Sequence, residues 1–184
     1  MNLQPGRIFV VAAVLAVALI QPGFGQSRNA SAVDNLKMAI ELKKKGDLAA
    51  AEAHYREAIR LDPNYAEAHY SYAILLADRD DVNAAMSEYK KAIAIQKDYA
   101  EAHFNLALLL RRKGDKTGEV KEYERALAAA PNYTLAHFNL ANALVDRGDY
   151  DGAIEHYQRY LSLAPNAKDA EQVRQMIRKL QSQK

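Results

Sequence analysis

Pro63-Asn64-Tyr65-Ala66-Glu67-Ala68-His69 decides how this chain folds. The stretch returns as Lys97-Asp98-Tyr99-Ala100-Glu101-Ala102-His103 and as Pro131-Asn132-Tyr133-Thr134-Leu135-Ala136-His137, each copy 34 residues after the last. Proline and asparagine oppose the continuation of a helix, and the Ala/Glu run that follows favours a new one. Each copy therefore reads as a junction where one helix stops and another starts. A junction repeated at a fixed period marks an array of one supersecondary unit.

Working outward from the junction, the chain divides into copies 32–65, 66–99, 100–133 and 134–167. Several columns hold through all four: the aromatic Tyr55, Tyr89, Tyr123 and Tyr157; the small Ala39, Ala73, Ala107 and Ala141; the leucines Leu42, Leu76, Leu110 and Leu144. A turn column reads Gly46, Asp80, Gly114 and Gly148, and a terminating column reads Pro63, Lys97, Pro131 and Pro165. In the third copy Leu106, Leu109 and Leu110 lie at helical intervals before Gly114, and Tyr123, Ala126 and Leu127 lie so after it. Glycine accepts the left-handed conformation that stops a helix, and Asp115 or Asp149 suits the start of the next. Each copy thus predicts two helices of about fourteen residues, or ~21 Å. The alanine columns mark places where two helices approach closely.

Three departures from the pattern carry expectations. Thr117-Gly118-Glu119 interrupts the column of Ala51, Ala85 and Ala153, so the second helix of the third copy is expected to start late or loosely. Tyr160 replaces the alanine of Ala58, Ala92 and Ala126, which predicts a different packing at the end of the array. The second copy has neither the turn glycine nor the terminating proline, so its turns are expected to be the softest. Beyond the repeats, Ala170, Val173, Ile177 and Leu180 form one apolar stripe in a polar segment, 168–184. That stripe predicts a helix that caps the last repeat, with a partner-docking helix as the alternative.

The N-terminus is of another kind. Arg7 precedes a run of thirteen apolar residues, 8–20, then Gln21-Pro22-Gly23 and the small residues of Gly23-Phe24-Gly25. As a helix the run would span about 20 Å, short of the ~30 Å hydrocarbon core. Residues 1–25 read as a secretory signal peptide, with an uncleaved membrane anchor as the alternative, and 26–31 as a polar tether. The export that this implies is to the periplasm or the outside of the cell.

Hydrophobic residues make up 49% of the chain and charged ones 26%, a balance that fits a folded domain. The formal charge is +2, and it falls to +1 without residues 1–25, which hold one Arg and no acid. Such a balance gives no argument for a nucleic-acid partner. There is no cysteine, which removes disulfides and zinc–thiolate sites. No nucleophile constellation and no glycine-rich phosphate loop occurs, so the reading is non-catalytic and without a cofactor.

The 34-residue period, the glycine between helices, the alanine columns, the aromatic on each second helix and the closing proline resemble the tetratricopeptide repeat family. The resemblance covers 32–167 and implies an all-α, right-handed α-solenoid of four helical hairpins plus a C-terminal capping helix. The family's usual Trp near the start of each copy is replaced here by Asn35, His69, His103 and His137. The histidines are read as occupants of a helix–helix seam, since no further column completes a metal-ligand set.

In this family the first helices line a concave groove that binds a protein or peptide segment. Carried over, the groove columns here include Val33/Glu67/Glu101/Leu135, Leu36/Tyr70/Phe104/Phe138 and Ile40/Ile74/Leu108/Asn142. Tyr70, Phe104 and Phe138 are expected to be exposed anchors, whose replacement by Ala would abolish capture at nearly unchanged melting. Asn105 and Asn139 resemble part of the asparagine ladder of O-linked N-acetylglucosamine transferases and are candidate holders of a peptide backbone. Arg111 and Arg112, with Lys43 and Lys44, either meet an acidic partner or form solvated helix ends. The resemblance implies a protein-binding scaffold or assembly adaptor. A self-assembling array, in which the chain makes homo-oligomers, is the second reading.

Overall fold

The computed structural model describes residues 22–183. Among them are nine helices and no strand: α1 (Pro22–Lys44), α2 (Leu48–Leu61), α3 (Ala66–Asp78), α4 (Val82–Ile95), α5 (Ala100–Arg112), α6 (Lys116–Ala129), α7 (Thr134–Val145), α8 (Tyr150–Leu163) and α9 (Ala170–Gln181). The pairs α1/α2, α3/α4, α5/α6 and α7/α8 are hairpins, and each later first helix also packs on the second helix before it. The result is a solenoid, in which a repeat touches chiefly its neighbours. None of the described helices is long and apolar enough to cross a membrane. The apolar run 8–20, on which the leader reading rests, lies outside the described residues.

Each hairpin is closed by the same two devices. The first helix ends on a left-handed residue: Gly46, Gly114 and Gly148 have φ of +84°, +76° and +78°. The amides of Asp47, Asp81, Asp115 and Asp149 then donate back to Leu42, Leu76, Leu110 and Leu144, all at 2.9–3.0 Å. This satisfies carbonyls that the helix end would leave unpaired. The same four aspartates cap the second helices, with Oδ1 accepting from the amides of Ala50, Ala84, Gly118 and Gly152. In the second copy Asp80 holds the glycine's place at φ +67°, a conformation costly for a residue with a Cβ. The soft turn expected there is a turn under backbone strain.

The alanine columns are buried without exception: Ala39, Ala73, Ala107 and Ala141 on the first helices, Ala51, Ala85 and Ala153 on the second. Tyr55, Tyr123 and Tyr157 are the largest fully buried side chains. The core divides across α5, whose Leu106, Leu109 and Leu110 pack with the first two copies while Phe104 and Ala107 pack with the last two. At the end of the array Val173, Ile177 and Leu180 of α9 are buried with α8, as the stripe predicts. Tyr160 donates to Asp169 Oδ1 at 2.6 Å, so the residue that breaks the alanine column fastens the cap.

Two expectations are corrected. The second helix of the third copy does not start late, because α6 begins at Lys116, the position matching Leu48, Val82 and Tyr150. Gly118 falls in the first turn, where helix propensity matters least, and its missing Cβ lets Asp115 approach its amide to 2.8 Å; the equivalent distances at Ala50 and Ala84 are 3.1 and 3.2 Å. A Cβ on Gly118 would lie 2.6 Å from Asp115 Oδ2. The segment 26–31, read as a tether, is helical and belongs to α1. No residue between Gly25 and Ser31 breaks a helix, and Pro22 stands at its first position, where proline is tolerated.

Candidate functional site

The first helices α1, α3, α5 and α7 present one face of the stack, and the junction sets what each places on it. Tyr65, Tyr99 and Tyr133 immediately precede the first turns, so Glu67, Tyr70 and Ile74 of α3 share a face with the corresponding residues of α5 and α7. On that face Leu135 is 55% exposed and Leu108 is 37% exposed. Ile40 and Ile74, with Lys43, Lys44, Tyr55 and Ser71, line a hollow of about 390 Å³ between α1 and α3.

The three aromatic rings are not open anchors. Tyr70 lies 5.8 Å from the Tyr89 ring and 4.8 Å from that of Tyr99. Phe104 lies 5.7 Å from Tyr123 and 4.9 Å from Tyr133, and only 7% of it is exposed. Phe138 is 6.0 Å from Tyr157 and 5.2 Å from Tyr160. Tyr70 and Phe104 are wedges between the second helix of their own copy and the junction tyrosine that follows, while Phe138 packs on two tyrosines of α8. The physical reason is that the inner curve of a stack brings three aromatics together, and ring pairs at 4.5–7 Å are mutually favourable. Tyr70 and Phe138 keep one edge half-exposed, while Phe104 offers a partner almost nothing.

The polar candidates also differ from one another. Asn105 donates to the Tyr70 hydroxyl at 3.1 Å, which ties α5 to α3. Asn142 accepts from the Tyr157 hydroxyl at 2.6 Å. Asn139 donates to the carbonyl of Leu135, one turn back on its own helix, and its amide oxygen accepts no hydrogen bond among the described residues. Arg112 pairs with Asp80, and Arg111 Nε stands 3.9 Å from Glu119 Oε1. Glu119 is 3% exposed, and neither its Oε1 nor the hydroxyl of Tyr123 has a hydrogen-bond partner. Burial pushes the Glu119 carboxyl above its usual range, Arg111 opposing this and Asp146 adding to it.

The structure adds a polar seam that the sequence reading reached only on one side. His69 Nδ1 lies 2.6 Å from Glu88, His103 Nδ1 2.6 Å from Glu122, and His137 Nδ1 2.9 Å from His156 Nδ1. In the first copy Asn35 meets His54 at 2.8 Å. The Nε2 side of each of the three histidines donates to the backbone carbonyl of Pro63, Lys97 or Pro131. The seam therefore pins the junction to both helices of its hairpin. Its signal in the sequence was a polar residue nineteen positions after each of these residues, immediately before the tyrosine column of the second helix.

Comparison with known families and structures agrees with this geometry. A tetratricopeptide repeat model matches 120–168, a second matches 100–133, and a TPR repeat model matches 41–78 and 73–114. No curated protein matches the chain. Among solved structures, a MamA protein is 23% identical with a TM-score of 0.73, over 83% of this chain and 83% of its own. PilF of Pseudomonas aeruginosa is 19% identical with a TM-score of 0.70, over 85% of this chain and 70% of its own. A tetratricopeptide repeat protein from Parabacteroides merdae is 16% identical with a TM-score of 0.74, over 84% and 61%. At these identities the likeness is one of fold. The family models together run from 41 to 168 on the hairpins described above, and the chain belongs to the tetratricopeptide repeat family.

Proposed function

We propose that the protein is a non-catalytic scaffold or assembly adaptor that is exported to the periplasm or beyond the cell and holds a segment of a protein partner on its first-helix face. One observation carries the reading: Leu108 and Leu135 stay exposed on that face while the alanine and tyrosine columns behind it are fully packed. Isolated exposed leucines are ordinary, but Leu108 continues a row with the half-buried Ile40 and Ile74, Leu135 stands on the same face in the neighbouring column, and an apolar row is what a partner can bury. The half-buried Asn139, whose amide oxygen accepts no hydrogen bond among the described residues, supplies a contact to a peptide backbone. Export rests on the charge, apolar length and small residues of 1–25.

The test is photo-cross-linking from positions 108 and 135 in the exporting cell, followed by capture with the Leu108→Ser/Leu135→Ser variant. Loss of capture with unchanged helicity supports the reading, and undiminished capture sinks it. A cross-linked species made only of this chain would replace the adaptor with a self-assembling array, which sedimentation of the purified protein would also report. The intact mass of the exported chain distinguishes a cleaved leader from an anchor.

A further inference from the structure

The sign of charge that the first-helix face offers a partner depends on which of its charges are already paired. Along the edge made by the helix C-termini, Lys43 Nζ lies 2.7 Å from Asp78 and Lys44 Nζ 2.9 Å from Glu41. Arg112 pairs with Asp80, and Arg111 stands over the buried Glu119. These four cations are engaged within the chain, and the exposed Lys45 and Arg147 lie beyond the helix ends, in the turns. Along the opposite edge, made by the helix N-termini, Glu67 and Glu101 are exposed and neither has an ion pair among the described residues. The polar contact of Glu67 is a long one, 3.5 Å from the Tyr65 hydroxyl. Lys37 is exposed as well, but it stands in the first copy, outside the two glutamates.

These carboxylates do not stand alone. Glu101 lines a hollow of about 530 Å³ with Ala130, Pro131, Asn132 and Tyr133. The half-buried rings of Tyr65, Tyr99 and Tyr133 recur beside the two acids, once per repeat. Burial first, and then Tyr70, Glu67 and Glu101, raise the Tyr99 phenol well above its ordinary value, which places the rings and the acids in one field. Further along the same column stands Leu135, at 55% the most open large apolar side chain described. The column thus runs acid, acid, aliphatic, one residue per repeat, with an aromatic ring at each acidic step.

The spacing converts this into a ligand. Asn105 reaches the Tyr70 hydroxyl, so α3 and α5 stand side by side on this face, with a step from one to the next on the order of 10 Å. An extended chain rises ~3.3 Å per residue, so side chains three residues apart match that step. We propose, building on the scaffold reading above, that the partner segment is basic. Two Lys or Arg residues three positions apart sit on Glu67 and Glu101 against the Tyr99 and Tyr133 rings, and an aliphatic residue three further along sits on Leu135. A carboxylate attracts the cation's charge and a tyrosine ring attracts it through its face, so the two together favour a cation over a neutral side chain. The first-turn carboxylates also meet the positive ends of their own helices, but that role leaves their oxygens open outward.

The experiment uses the purified protein and three labelled peptides read by fluorescence anisotropy. One carries Lys-Ala-Ala-Lys-Ala-Ala-Leu, one has Glu in place of both Lys, and one has the two Lys adjacent. The first binds at least about tenfold more tightly than the second, weakens with added salt, and exceeds the third. The variant Glu67→Gln/Glu101→Gln loses the preference while keeping its helicity and melting temperature. Equal binding of the Glu peptide, a preference that survives the two Gln substitutions, or no saturable binding of the Lys peptide overturns the inference. The variant Leu108→Asp separates this outcome from failure of the face itself. If it abolishes a binding that shows no charge preference, the face stands and the basic partner falls. If binding ignores both variants, both fall.

Discussion

His103 Nδ1 lies 2.6 Å from Oε2 of Glu122, nineteen residues further on, while its Nε2 donates to the carbonyl of Lys97 at 3.0 Å. A carboxylate and a carbonyl both accept, so this geometry asks for a proton on each ring nitrogen, or for one on Glu122. One copy later the pair is His137 and His156. There the two Nδ1 atoms face each other at 2.9 Å, so only one of them can carry the shared proton, while His137 Nε2 donates to the Pro131 carbonyl. The same seam thus favours the protonated His103 ring in the third copy and disfavours a proton on His156 in the fourth.

Opposite pH dependence follows. Burial alone would lower the His103 value, but the hydrogen bonds to Glu122 and to the Lys97 carbonyl, together with the Glu122 charge, outweigh it and raise it, while the Glu122 value falls under His103 and Arg125 despite its own burial. This pair contributes fully between the ordinary glutamate and histidine values, about 4.3 and 6.5. Its contribution is lost as pH rises through the raised His103 value or falls through the lowered Glu122 value. His156 is lowered, first by burial and then by His137, so its contribution is present above about 6.5 and lost as pH falls through its folded value. Chemical denaturation of His103→Gln is expected to show a loss of about 1–3 kcal/mol near pH 5.5 that shrinks toward pH 8. His156→Glu, which gives His137 the partner found in the two preceding copies, is expected to gain stability near pH 6.

Glu119→Ala restores the small residue found at Ala51, Ala85 and Ala153 and removes a buried oxygen without a partner. The expected outcome is a gain of about 1 kcal/mol at pH 7.5. The folded Glu119 value is raised, so this residue destabilises the fold above the ordinary glutamate range, and less as pH falls through the raised value. The gain should therefore shrink as the pH is lowered toward 4.5. A constant gain across that range would mean that the charge has no part in it.

Asp80→Gly relieves the left-handed backbone of the second copy but gives up the exposed ion pair with Arg112. Backbone relief is worth about 1 kcal/mol and an exposed pair less, so thermal unfolding should show a net rise in stability. Arg112→Ala alone should be nearly neutral.

Phe104 and Leu135 separate wedge from surface. Phe104→Ala is expected to cost about 3–4 kcal/mol, because the ring is buried between Tyr123 and Tyr133. Leu135→Ala is expected to lie within about 0.5 kcal/mol of the parent in urea unfolding. Equal effects at the two positions would contradict the packing described.

The hairpins and the cap were legible because each depends on short-range chemistry. A glycine is needed where φ turns positive, an aspartate one residue later caps the next helix, and an alanine stands where two helices touch. Even the exceptions at Asp80 and Tyr160 were marked by their columns. The start of α6 was misjudged because Gly118 counts as a helix breaker only in a helix interior, and its place relative to the Asp115 cap is a matter of one turn.

What the sequence determined by itself is therefore the array: period, helices, caps and closing stripe, all fixed by residues that act on their own neighbourhood. What only the tertiary structure decided is which residues of the shared face remain free. Tyr70, Phe104 and Phe138 have the spacing of anchors, yet each ring meets a tyrosine nineteen residues later and another in or near the following junction, and those contacts cover it. Arg112 looks available until Asp80 of the preceding copy takes it, and Glu67 and Glu101 look ordinary until no cation among the described residues reaches them. Exposure and pairing are set by residues a repeat apart, and a one-dimensional pattern does not show which of those side chains meet.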